Sequence, residues 1–471
     1  MLNISMTEKN NIARHLLLFL PWAISLLLEP YPTVSYFIAW LGSFFIFFVS
    51  LTGKIKPIPA DRRFSEQLMR PIFIIQIIFA GYMACTSIFY FFSLLGYEYL
   101  SKTNSFLAID ENAVALTAQC QRYYCLGHAA FVSGILIFMK YPVRQKYYIE
   151  KEKLANLLLI TALIAFPVSI FFLRIPGLAQ FYFQFSSLSF IAGTLALAFA
   201  LPLQKVTNTL ICLALYLFNF YQALTSGFKE PIIISVLVLG VFLYPNYKRI
   251  VTIVFGPALI LLFMFLPAYV NNFRQNVWSG EETAEDATQI ALNATLNQDE
   301  DNSNWGFLVY RLSEIEMFTK FVKSTPDKVD FYRLQLLKQS AAAIVPRVFW
   351  PSKPITEDLI MERVYSAGVV NRNSSVSAKP AFIVDAYLSY GAMGVFIFLF
   401  AYGAIAQIIA CKAEELFGGY ILGTALIFSG LFQVFWRGLS LEFLINAVFW
   451  SYITMLVIFK ILRSRNILKE I

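Results

Sequence analysis

About a dozen runs of mainly apolar residues fill most of the sequence, each near the ~20 residues that carry a helix across a bilayer. With loose edges they fall at 14–28, 33–52, 71–95, 113–139, 154–174, 178–201, 206–225, 231–245, 250–270, 381–411, 419–436 and 441–460. The residues between them cannot make a water-soluble shell. Only 14% of the 471 residues are charged and 58% are hydrophobic, including 47 Phe and 25 Tyr. A soluble domain carries roughly a quarter charged residues, so in water this chain would expose large apolar patches. In lipid, each spanning segment must satisfy its own backbone groups, which selects helices. The expected fold class is all-α: a polytopic integral membrane protein with about 12 transmembrane helices and one long extracytoplasmic loop. Residues 1–270 would form a bundle of about nine spans. Residues 271–380 would form the loop, and 381–471 a hairpin and last span. A cleaved signal peptide is the rival reading of the first run. It lacks a small-residue cleavage site, and Glu29-Pro30-Tyr31-Pro32 reads as a turn between spans.

The basic residues set the orientation. With the amino terminus inside, the inward loops hold 20 of the 37 Lys and Arg against 8 acidic residues. The segments at 54–70, 140–153, 248–249 and 460–469 carry most of them. That is the bias expected of cytoplasmic loops. The net charge of +8 is therefore topogenic and does not point to nucleic acid. Both termini are expected in the cytoplasm, with the long loop outside it. The five cysteines lie in or near the apolar runs, and the only histidines, His15 and His128, stand apart. No spacing suggests a metal site or a disulfide framework, and no cofactor is expected.

The long loop is not uniform. Residues 276–304 are acidic and polar and read as a surface excursion. In 307–322, Leu308, Leu312, Ile315, Phe318 and Phe321/Val322 recur at helical spacing, which predicts an amphipathic helix. Thr325-Pro326-Asp327 opens a second helical stretch, over about 328–343. Pro346, Pro351 and Pro354 exclude a regular helix over 346–354, which reads as a stiff lid carrying Arg347, Phe349, Trp350 and Lys353.

Ions at membrane depth are costly and are usually paired or functional. Arg122, Arg174, Lys229 with Glu230, Arg274, Asp385, Arg437 and Glu442 all fall at the outer ends of runs, and the middle is nearly free of charge. That disfavours an ion path across the bilayer. It suits a polar chamber open to the outer face, where guanidinium and ammonium groups can hold an anionic headgroup. Plainer readings stand beside this one: Arg174 and Lys229 as snorkelling anchors, Arg122 in a structural ion pair, Asp385 at a helix amino terminus.

Four features in 225–400 resemble bacterial O-antigen and exopolysaccharide polymerases of the Wzy type, which are oligosaccharide repeat unit polymerases. These are Gly227-Phe228-Lys229-Glu230, the Arg274 exit from the ninth run, the Pro346–Pro354 stretch, and Asp385 through Gly394 at the start of the tenth. The remaining runs match in topology alone. The resemblance implies a membrane glycosyltransferase fold of the second GT-C type. It implies undecaprenyl-pyrophosphate-linked repeat units as substrate, without nucleotide sugar or required metal. A chain-length regulator and a flippase are the partners it suggests, beside membrane lipid. On this reading Arg122, Arg174, Lys229, Arg274, Arg347, Lys353 and Arg437 are candidates for binding substrate and pyrophosphate, and Asp385, Glu442 and Glu314 for the general base. The related O-antigen ligases carry a histidine in the large outer loop; residues 271–380 contain none. A lipid-linked oligosaccharide flippase is the non-enzymatic alternative.

The orientation is testable. A cysteine placed at Ile290 should react with an impermeant reagent added to intact spheroplasts, and one at Arg144 should react only after lysis. The reverse pattern would overturn the assignment.

Overall fold

The computed structural model describes residues 13–79, 84–98, 101–102, 109–203, 205–225, 227, 229–278, 283–297, 305–306, 308–373, 377–433 and 439–471. The described regular elements are helices apart from two short β-pairings. They are α1 (Leu20–Leu27), α2 (Pro32–Leu51), α3 (Pro71–Ile78), α4 (Ser87–Leu94), α5 (Glu111–Phe138), α6 (Lys151–Arg174), α7 (Gln180–Ala200) and α8 (Val206–Leu224). The chain continues through α9 (Lys229–Trp278), α10 (Ala284–Asn297), α11 (Ile315–Ser324), α12 (Gln335–Ile344) and α13 (Thr356–Ser366). It ends with α14 (Phe382–Phe417), α15 (Tyr420–Phe428) and α16 (Leu441–Ser464). Among the described residues, six helical stretches are long and apolar enough to cross a membrane: Pro32–Leu51, Glu152–Arg174, Gln180–Ala200, Ile232–Leu262, Phe382–Phe417 and Leu441–Ser464. An all-α, multi-pass membrane protein follows.

The described helices differ in places from the expected spans. The described parts of the run at 71–95 include α3 and α4, and α15 ends in a π-turn at Ser429–Gln433. Part of the acidic excursion is helical, as α10, and α13 adds a further helix to the long loop. The amphipathic segment becomes a π-turn at Leu308–Leu312 followed by α11.

Two helices reverse on themselves. In α9, Tyr247 leaves helical geometry at φ −129° and ψ 44°. The arms then face each other: a Cβ at Gly240 would sit 3.0 Å from the Phe255 ring, and Arg274 Nε donates to the Gly227 carbonyl at 2.9 Å. A straight helix would hold Gly240 and Phe255 about 22 Å apart. The two expected runs, 231–245 and 250–270, are thus the arms of a hairpin.

The second reversal was not expected. In α14, Tyr390 and Gly391 break the helix, with Gly391 at φ 60° and ψ −140°. Phe382 packs its ring 5.4 Å from Tyr402, whereas a continuous helix would separate them by about 30 Å. Residues 382–389 therefore form a short limb lying antiparallel to the long one. Reversal strips the limb's last carbonyls of intrahelical partners. The long loop replaces them: Tyr332 and Arg333 donate backbone N–H bonds to Leu388 and Ser389 at 2.9 and 3.0 Å.

At the centre, α5 crosses α14 at closest approach. A Cβ at Gly134 would run into the Phe400 carbonyl, and one at Gly403 into that of Phe131. Phe131 and Tyr402 stack beside the crossing, 5.6 Å apart and 4° from parallel. Small residues let helices approach where apolar burial cannot drive association, because lipid is as apolar as the helix.

The basic loops gather at one end. Arg62 pairs with Glu414, Lys205 with Glu152 and Lys469 with Glu150, while Lys56 caps the carbonyls of Leu136 and Met139. Tyr147–Tyr148 forms a two-stranded pairing with Lys469–Glu470. Asp61 also accepts from Arg70 at 2.9 Å, and that bond holds its carboxyl below the usual range although burial opposes it.

Gly134→Val should force the α5–α14 crossing apart, at a cost of about 1–3 kcal/mol typical of overpacking. The expected result is a clear fall in melting temperature in detergent relative to Gly256→Val, where no atom lies within 4 Å of an added Cβ. Equal melting of the two variants would refute the tight crossing.

Candidate functional site

The limb of α14 brings Asp385 to a place where three helix ends meet. Arg363 lies in the last turn of α13, Glu442 in the first turn of α16, and Asp385 in the first turn of α14. Each sign suits its helix terminus: carboxylates near amino termini, a cation near a carboxyl terminus. All three are buried, at 2%, 0% and 0% exposure for Arg363, Asp385 and Glu442.

Arg363 grips Glu442 with both terminal nitrogens, at 2.6 and 3.0 Å. This is the fork geometry that makes guanidinium–carboxylate pairs strong. Its Nη2 is 3.4 Å from Asp385 Oδ1, and its Nη1 also donates to Gln339 of α12 at 3.1 Å. Asp385 Oδ2 accepts the Leu441 backbone N–H at 2.8 Å. Ser440 makes no side-chain cap to α16, so Asp385 caps that helix from across the bundle. Burial works against the Arg363 charge, but Asp385 and Glu442 more than offset it and hold its pKa above the ordinary arginine value. Two groups keep unused capacity: Asp385 Oδ1 accepts no hydrogen bond and Arg363 Nε donates none. One guanidinium stands between two carboxyl groups.

The other expected site residues that are described lie elsewhere, several of them held by partners of their own. Arg122 is buried on α5, paired with Glu29 at 2.7 Å and bonded to Ser35 at 2.9 Å. Arg174 is exposed at the end of α6. Arg274 closes the α9 hairpin onto Gly227. Lys229 begins α9, and its side chain and Arg437 lie outside the described residues. Arg347 donates to the Pro354 carbonyl at 3.1 Å, closing its own turn. Lys353 is buried and donates to the Ala343 and Val345 carbonyls at 2.9 and 2.8 Å. It thereby caps α12, a favourable place for a cation. Burial, and after it the nearby Arg347 charge, pulls the Lys353 pKa below its ordinary value. Glu314 precedes α11. Of the expected residues, Asp385 and Glu442 come together.

Arg363 was missing from the sequence reading. The signal was present: Ile360 and Val364 are buried on one face of α13, and Arg363 lies between them in the helical register. An arginine on the apolar face of an amphipathic helix calls for a buried counter-charge.

Beside the cluster lies a cavity of about 460 Å³ between α12, α14 and α16. Phe382 and Leu441, neighbours of Asp385 and Glu442 in sequence, line it, and its walls are apolar. Residues 20–470 match the family described as Domain of unknown function (DUF8712). The chain belongs to this family. No curated protein and no solved structure matches it. Within this DUF8712 member, the described residues contain no group of three or more His, Cys, Asp or Glu arranged to hold a metal ion.

Arg363→Met should leave two buried carboxylates without their cation, a loss of about 3–5 kcal/mol for a broken buried pair. The triple variant R363M/D385N/E442Q removes both charges and should recover much of the lost melting temperature. If the triple variant melts no higher than R363M, the ion cluster is not what holds these three helix ends.

Proposed function

We propose that this protein polymerises undecaprenyl-pyrophosphate-linked oligosaccharide repeat units at the outer leaflet of a bacterial inner membrane. The arrangement would be the 12-span one read from the sequence, in the second GT-C class, with the Arg363–Asp385–Glu442 cluster on the outer side. The growing glycan passes from its carrier to the incoming carrier-linked unit. The acceptor hydroxyl oxygen bonds to the anomeric carbon, the bond from that carbon to the carrier pyrophosphate breaks, and the hydroxyl proton goes to a carboxylate. The pyrophosphate leaves with the bonding electrons. No cofactor or net redox change is needed.

The observation that carries this reading is the unequal use of the two carboxylates. Glu442 spends both oxygens on Arg363. Asp385 spends Oδ2 on a backbone amide and a long bond from Arg363, and its Oδ1, 3.4 Å from that guanidinium, accepts no hydrogen bond. A base needs an oxygen that the scaffold does not consume, and a rigid mount that aims it. Asp385 is thus the proposed base, with Glu442 as the residue that positions Arg363. Because Asp385 is buried, substrate must displace part of the 327–366 segment to reach it. Arg347 is the proposed contact to the pyrophosphate, since its one described bond is to a carbonyl of its own turn. The sequence resemblance supports the substrate class. The location of the basic loops at the opposite end of the bundle from Asp385 supports the outward orientation.

The test uses purified protein in lipid nanodiscs, supplied with carrier-linked repeat units alone. Wild type should build a ladder of products. Asp385→Asn keeps an oxygen for the Leu441 amide and leaves the Arg363–Glu442 pair intact, so it should melt near wild type. Its rate should fall about 10²–10⁴-fold, the usual contribution of a general base. A normal ladder from D385N removes the assignment of the base. A wild type that translocates units across liposomes without lengthening them makes the protein a flippase.

A further inference from the structure

The apolar cavity does not end within the bundle. At Ile409 and Tyr452, which line both, it borders a second cavity of about 550 Å³ between the end of α5 with its 140–146 loop and the end of α14. With these two residues as a common wall, the cavities define a furrow that runs from the 140–146 loop onto the α14–α16 seam. Its long part is open to the side, where Ile397 and Ile405 of α14 and Phe449 of α16 are part-exposed. Its mouth carries Lys140, Arg144, Lys146 and Lys412 against one carboxylate, Glu415.

The charges at the mouth are unequally committed. Lys146 and Lys412 both pair with Glu415. The Lys146 backbone N–H also donates to the Glu415 carbonyl at 3.1 Å, and Gln407 donates to the Tyr141 hydroxyl at 3.0 Å. These bonds pin the 140–146 loop to the end of α14. Lys140 and Arg144 are exposed and form no ion pair among the described residues. The mouth thus holds a fixed positive excess beside an apolar channel.

We propose that this furrow binds an anionic phospholipid, with the headgroup phosphate held by Lys140 and Arg144 and an acyl chain lying along the α14–α16 seam. The length selects this occupant. From Phe398 to Ile409 the furrow follows α14 for about 16 Å, roughly half of the ~30 Å hydrocarbon core and so one leaflet deep. The chain of a diacyl lipid drawn from the leaflet at the basic end matches that depth. Charge selects its class. Lipid tails are as apolar as the furrow, so an acyl chain gains little by leaving the bilayer. Preference must come from the headgroup, and basic pockets between membrane helices are suited to anionic ones. The inference does not rest on the reaction proposed for Asp385: the furrow begins beside that cluster, but its charged mouth lies at the far end of α14.

The experiment compares phosphatidylglycerol with phosphatidylcholine on delipidated full-length protein, read by native mass spectrometry and by melting temperature. Wild type should retain phosphatidylglycerol at least about tenfold better and should melt higher in its presence, in keeping with a tenfold effect per modest electrostatic contribution. K140Q/R144Q, at exposed positions, should melt like wild type in phosphatidylcholine and lose both the preference and the added stability. Ile405→Trp, which fills the furrow, should lower retention of phosphatidylglycerol with the mouth intact. Equal retention of the two lipids by wild type would overturn the proposal, as would a preference that survives K140Q/R144Q. Retention unaffected by I405W would take the chain out of the furrow. Displacement of the lipid by millimolar inorganic phosphate would make the mouth a free-anion site instead.

Discussion

Three helix ends that carry opposite partial charges are held together by one arginine. Arg363 at the carboxyl end of α13 meets Glu442 and Asp385 at the amino ends of α16 and α14. Burying such ions is expensive unless each finds a partner in good geometry. The fork onto Glu442 and the Asp385 bond to the Leu441 amide meet that condition. Because the three residues come from the long loop, the reversed limb and the last long helix, the cluster decides how these segments sit. The same constraint explains why one carboxylate oxygen remains unspent: a single guanidinium cannot saturate two carboxylates.

The reversal at Tyr390–Gly391 follows the same logic for backbone groups. A helix that turns back inside a membrane protein exposes carbonyls that water cannot reach, and they must be paired by protein. Tyr332 and Arg333 supply the donors. The long loop therefore completes the bundle rather than covering it. α11 packs Phe318 against Tyr123 and Tyr124 of α5, and α12 runs beside α16, where Trp450 donates to the Ile344 carbonyl at 3.0 Å. Lys353 caps α12 in the same segment, which ties the proline-rich turn to the helix that lines the furrow.

The two ends of the molecule do different electrostatic work. At one end, cations are spread over many loops and pair with scattered carboxylates, as in Lys469–Glu150 and Lys205–Glu152. Exposed pairs of this kind contribute little individually, so their main consequence is a positive field at a membrane surface. At the Asp385 end, exposed pairs such as Arg372–Glu362 and Lys379–Glu357 surround one buried cluster, Arg363 with Glu442 and Asp385. The furrow between α14 and α16 runs from one regime to the other.

The sequence by itself determined the solvent and the class: apolar runs of membrane length, basic loops between them, and an all-α chain. It also marked Asp385 and Glu442, because carboxylates beside apolar runs are conspicuous when so few residues are charged. Hairpin formation at Tyr247 was legible as two separate runs, 231–245 and 250–270. What the sequence could not provide was partnership. Arg122, Arg274 and Lys353 look alike as cations near apolar runs, yet they serve an ion pair with Glu29, a hairpin clasp and a helix cap. Arg363 joined the site because of where α13 docks, and α14 reverses because the loop can pair the freed carbonyls of Leu388 and Ser389. Hydrophobicity is local and accumulates along the chain, so it can be read in order. Pairing of buried ions and carbonyls depends on segments far apart in the chain meeting in space, and only the tertiary structure decides that.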